Sequence, residues 1–137
     1  AEQPMTMEKV VEACGAKAVS WTSKLECCGG GFSLARKGSV VRLGRKIIQS
    51  ALTGGADVIV VACPMCHSNL DFRQKAMSAG ENGLTKQVPV LYLTQLVGLS
   101  LGIDPKTLGL GRHFTDTNPL VQMANQPSDK PKAAEVA

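Results

Sequence analysis

A chain of 137 residues carrying a net charge of +4, with 44% hydrophobic and 19% charged residues, fits one globular domain. No apolar run approaches the roughly 20 residues of a membrane-spanning helix. The opening AEQPMTMEK lacks the basic-then-apolar pattern of a secretory signal, and no basic-and-aromatic interleaving marks a nucleic-acid surface.

Thr6 is expected to cap a helix over 7–14, with Glu8 and Glu12 towards solvent, Val10 and Val11 inside, and Gly15 as terminator. A short strand over 18–21 leads into a glycine-rich loop over 24–33. Val40, Leu43, Ile47 and Leu52 fall near helical spacing and predict a helix over 39–52, stopped by Gly54 and Gly55. The run over 57–62 is nearly all β-branched, the signature of a strand buried on both faces, as in a parallel sheet. A helix over 64–78, a polar loop over 80–87, a strand over 88–93 and a helix over 94–101 follow. From Asn118 the sequence holds few large apolar residues and three prolines, and residues 117–137 read as an irregular tail to a domain over 1–116. The alternation of strands and helices predicts an α/β fold: a small parallel sheet with flanking helices.

The cysteines concentrate the chemistry. Cys27 and Cys28 are adjacent and precede Gly29-Gly30-Gly31, and Cys63-Pro64-Met65-Cys66 follows after 34 intervening residues. Each pair follows a predicted strand, so both fall at the carboxyl edge of the sheet, where sites in such folds form. Thiolates are soft ligands for iron–sulfur clusters, zinc or Cu(I), and glycines let backbone N–H groups approach sulfur. Cys63-x-x-Cys66 alone also fits a thioredoxin-like dithiol at a helix N-terminus. With His67 it fits a haem-attachment motif, but neither reading accounts for the Cys27–Cys28 pair. Five cysteines without a signal pattern indicate a reducing, cytoplasmic setting. Cys14 reads as a helix-end or core residue, His67 and His113 as structural or supporting groups, and Asn69 and Asp71 as exposed. Arg36, Lys37, Arg42, Arg45 and Lys46 form an acid-free basic stretch, either a solvated helix face or a positive field for an anionic substrate or docking partner.

CCGGG at Cys27, VIVVACPMCHSNLD from Val58 to Asp71, PVLYLTQLVGLSLG and LGLGRHF together closely resemble the cysteine-rich CCG domain of the heterodisulfide reductase B subunit, over about residues 5 to 116. Similar domains occur in an unusual succinate:quinone oxidoreductase subunit, in lactate-utilisation proteins and in an anaerobic glycerol-3-phosphate dehydrogenase subunit. The resemblance implies that Cys27, Cys28, Cys63 and Cys66 ligate a non-cubane [4Fe-4S] cluster. The chain would then be an iron–sulfur subunit of a disulfide-handling oxidoreductase. It would act in one-electron steps on a small thiol or disulfide, with electrons from a cubane iron–sulfur subunit and a flavin subunit. The family motif opens with a further cysteine some thirty or more residues before the pair, and Cys14 is too close to Cys27 to serve. Because members commonly carry two copies, this chain is expected to be the second half of a larger subunit, or less simply the product of a split gene. The basic stretch, Arg42 and Arg45 in particular, would attract anionic substrate tails. The alternatives are an electron-relay or docking module, and a structural zinc domain on the same four cysteines.

Overall fold

The computed structural model describes residues 4–125 and 135–136. Two parallel strand pairs form its centre: β1 (Lys17–Ala18) with β4 (Glu135–Val136), and β2 (Ile59–Val61) with β3 (Val90–Tyr92). A bridge between Val58 and Val136 joins them, giving the order β1-β4-β2-β3 with all strands parallel. The parallel α/β prediction therefore holds. Side chains alternate along β2, so it feeds two cores. Ile59, with Val90 of β3, meets Ile47, Ile48, Ala51, Leu70 and Met77 on one face. Val58 and Val60 meet Val11, Leu96, Leu110 and Leu120 on the other. Helices α2 (Lys37–Thr53), α3 (Pro64–Phe72) and α4 (Gln74–Met77) cover the first face, and α1 (Thr6–Ala13), α5 (Leu93–Ser100) and α6 (Asn118–Ala124) cover the second.

The structure departs from the sequence reading at several elements. Thr6 lies inside α1; Met5 occupies the cap position, and no side chain caps the helix. Glu8 is not a purely solvent-facing residue, because Lys24 reaches back from the first loop to pair with it at 2.7 Å. The expected helix over 64–78 is two helices, parted at Arg73, whose φ of −97° and ψ of 5° leave the helical well. Strand β1 is shorter than expected, and Trp21 lies beyond it. The segment read as a tail begins with α6, whose Leu120 is buried, and Val136 of β4 is 3% exposed at the centre of the sheet. The rest of that segment, 126–134 and 137, lies outside the described residues, as do the first three residues of the N-terminal segment.

Candidate metal centre

Strand β2 ends at Val61 and delivers Cys63 as the N-cap of α3, with Pro64 at the first helical position, where its missing N–H costs nothing. The next turn carries Cys66. The 24–33 loop reaches the same place from the other side. Gly29 takes φ +78°, the left-handed region open to glycine, and a Cβ there would press on Leu43. Gly30 lies so close to α3 that a Cβ would approach Met65 Cβ at 3.0 Å. The loop thus lies against the helix start, and Cys28 is 1% exposed within the first core, with Cys66 packed against that core.

The four sulfurs differ in surroundings. Cys63 is exposed, and the backbone N–H groups of Cys66 and Met65 hold its thiol below the ordinary cysteine value. Burial, helped by the neighbouring Cys28 and Cys63 sulfurs, pushes Cys66 up to about 12. Cys66 is therefore in electrostatic reach of one cysteine from each pair. Cys27 is exposed, with the Gly29 N–H at 3.4 Å from its Sγ. Cys28 Sγ faces the Asn69 amide nitrogen at 3.5 Å. The N–H groups at Cys63, Cys27 and Cys28 are donors of the kind that metal-bound sulfur accepts, so this donor set suits such a centre. Cys14 lies apart, at the C-terminal cap of α1, packed against the second core. A largely apolar cavity of about 360 Å³, lined in part by Trp21, Ile47 and Leu70, adjoins Cys63 and Cys66.

Asn69 and Asp71, expected at the surface, are 1% and 3% exposed. Asn69 follows Cys66 by three residues and Asp71 follows His67 by four, so each shares a helix face with a group already turned inward. That spacing was the available signal. Asp71 accepts hydrogen bonds from the Phe114 N–H at 2.8 Å, the Thr115 N–H at 3.2 Å and the Thr115 hydroxyl, and so clamps the 113–115 segment to α3.

His67, Asp71 and His113 bring ligand atoms within 4.8 Å of one another. The neighbouring amide decides what they are. Gln95 Oε1 accepts the Tyr92 N–H at 2.9 Å, and its nitrogen donates to the Leu108 carbonyl at 3.0 Å. That same nitrogen sits 3.0 Å from His113 Nε2, which must accept. The His113 proton then rests on Nδ1, 4.0 Å from Asp71 Oδ2. A metal ion at Nδ1 would displace that proton and turn a second N–H onto the Gln95 amide. The trio is therefore a packed clamp rather than a ready ligand set. Burial lowers the His67 value, and its ring stacks on Tyr92 at 4.2 Å.

The basic stretch divides. Lys46 pairs with Glu26 at 2.7 Å, and Arg45 donates to the Ala79 carbonyl at 3.0 Å. Arg36, Lys37 and Arg42 are exposed.

A model of a cysteine-rich domain family named CCG matches residues 1–71. The chain is 36% identical over 118 residues to the 8-methylmenaquinol:fumarate reductase membrane anchor subunit of Wolinella succinogenes, covering 85% of this chain and 41% of that protein. It is 40% identical over 113 residues to the B subunit of the ferredoxin:CoB-CoM heterodisulfide reductase of Methanosarcina mazei, and 37% identical over 111 residues to a ferredoxin/F(420)H(2)-dependent counterpart in Methanosarcina acetivorans. Each of these two alignments covers 80% of this chain and 37% of the relative. The chain thus spans about two fifths of the length of the curated relatives it matches. Among the described residues, no helix is long and apolar enough to cross a membrane.

Proposed function

This chain belongs to the cysteine-rich CCG domain family, and from that premise we propose that it is the iron–sulfur portion of an oxidoreductase subunit that handles a thiol–disulfide couple. The ligands in this reading are Cys27, Cys28, Cys63 and Cys66, holding a non-cubane [4Fe-4S] cluster. The observation that supports it is the seating of the Cys27–Cys28 loop against the start of α3, with Gly30 close to Met65 and Cys66 packed against the core that holds Cys28. Relatives named as heterodisulfide reductase B subunits favour this chemistry.

Such a cluster, when bound, supplies one-electron redox chemistry at iron and a resting place for thiolate sulfur. The chain's own residues do the rest. The α3 N-terminus and the glycine loop present N–H donors to sulfur. A largely apolar cavity adjoins Cys63 and Cys66 on one side. Arg36, Lys37 and Arg42 set a positive field for an anionic substrate or partner. Two one-electron steps open a disulfide to two thiolates, with electrons from a cubane iron–sulfur subunit fed by a flavin subunit. In this reading the chain is the second half of a two-copy subunit, working in a reducing, cytoplasmic compartment. The relative named as a membrane anchor subunit of a fumarate reductase favours a second reading, an electron-relay or docking module with no substrate of its own.

Iron, acid-labile sulfide and zinc per chain, measured on anaerobically purified protein, test the proposal. About four irons with matching sulfide are expected. About one zinc without sulfide would replace the cluster with a structural site.

A further inference from the structure

We propose that Asn69 is a positioning residue for the metal centre: its amide N–H, oriented by Arg73, donates to the buried Cys28 sulfur and fixes how that sulfur is presented. The inference rests on the metal-centre reading above and extends it to a residue outside the cysteine motif.

The orientation of the Asn69 amide follows from its neighbours. Arg73 Nε can only donate, and it lies 3.1 Å from Asn69 Oδ1. The amide NH₂ is therefore turned the other way, 2.9 Å from Ser33 Oγ and 3.5 Å from Cys28 Sγ. Arg73 Nη2 also donates to the Ser33 carbonyl at 3.0 Å, tying the Cys27–Cys28 loop to α3. Asn69 and Cys28 are each 1% exposed, so the contact is shielded from water.

Cys28 sits in an apolar core, where the dielectric is low and a fixed hydrogen bond to sulfur counts for more. Here a fixed amide donates directly to the sulfur, and a guanidinium polarises the far end of the amide. The same donor, on a sulfur bound to iron, favours the more negative reduced state and so raises the reduction potential.

The test compares the full chain with its Asn69→Asp variant. The carboxylate keeps the Arg73 partner and removes the donor to sulfur. Titration with Co²⁺ reads thiolate ligation through its charge-transfer absorption. The variant should bind Co²⁺ about 10- to 100-fold more weakly, the usual effect of losing a group that orients a ligand. At equal iron content its midpoint potential should move negative. Wild-type affinity and an unmoved potential would overturn the inference while leaving the metal centre standing. A wild-type chain with no thiolate–cobalt absorption would remove the metal centre, and the inference with it. If Asn69→Asp does not fold, Arg73→Gln frees the amide to turn. The same direction of change is then expected, and no change overturns the inference equally.

Discussion

Cys63 and Cys66 stand on one helical turn of one motif, yet their environments part them. The first is exposed at a helix N-terminus, where the Cys66 and Met65 N–H groups favour its thiolate. The second is held towards the thiol by burial and by neighbouring sulfurs, with a value of about 12. In the metal-free, reduced chain, iodoacetamide should therefore label Cys63 well before Cys66 at neutral pH. Lowering the pH should slow Cys63 less than an ordinary cysteine, since its thiolate persists further down; mass spectrometry of timed digests reads both. Equal labelling rates would reject the asymmetry. The motif itself was legible from spacing, because two thiols on one helical turn need no tertiary information. The asymmetry was legible only in part: the N–H groups that act on Cys63 are local to the helix start, whereas the burial of Cys66 depends on the core packed against it. Asn69 and Asp71 were not legible as buried, because polar residues in a helix usually face water, and here the inward face of α3 is chosen by what packs against Cys66 and His67.

Helix α2 was readable from its apolar spacing to within a few residues at either end. Its inner face holds a feature that periodicity does not display. Gly44 is buried where α2 meets α4, and a Cβ there would fall on Met77 Cε, with Leu70 close behind. The glycine exists for close helix approach rather than for a turn. Gly44→Ala should gain helix propensity yet lose on balance about 1–3 kcal/mol from overpacking. Because the blocking atom is the flexible end of a methionine, Gly44→Ala with Met77→Ala should be less costly than the two single changes summed. Urea denaturation of the three variants tests this, and simple additivity would show that the helices do not meet there. The break between α3 and α4 was equally hidden. Arg73 turns its side chain back to Asn69 and the Ser33 carbonyl. Gln74, fully buried, then exchanges hydrogen bonds with Val88, donating to its carbonyl at 2.7 Å and accepting its N–H at 2.9 Å. A side chain standing in for a strand fixes the entry to β3, and no local pattern announces such a contact.

At the scale of the molecule, the parallel α/β class followed from the order of elements, because strands separated by helices pair in parallel. The position of β4 did not follow. The composition after Asn118 is that of a tail, and β4 is two residues long, too short for any alternation to show. Yet β4 pairs with β1, and Val136 bridges to Val58, so the C-terminal strand lies between the first two strands of the chain. Val136 also accepts the Val19 N–H at 2.8 Å through its carbonyl. It lines the cavity that adjoins Cys63 and Cys66. The last strand therefore completes the sheet and one wall beside the candidate centre. Val136→Asp places a carboxylate without a partner in the second core and should cost more than about 3 kcal/mol. Val136→Ala, which keeps the backbone pairing, should cost about 1–2 kcal/mol for the lost apolar burial. If β4 closes the sheet in solution, Val136→Asp should also lower the amount of iron the chain retains, while Val136→Ala should leave it near wild type. Chemical denaturation with iron analysis reads both. A Val136→Asp chain as stable as wild type would mean that β1 and β2 do not depend on the C-terminal strand.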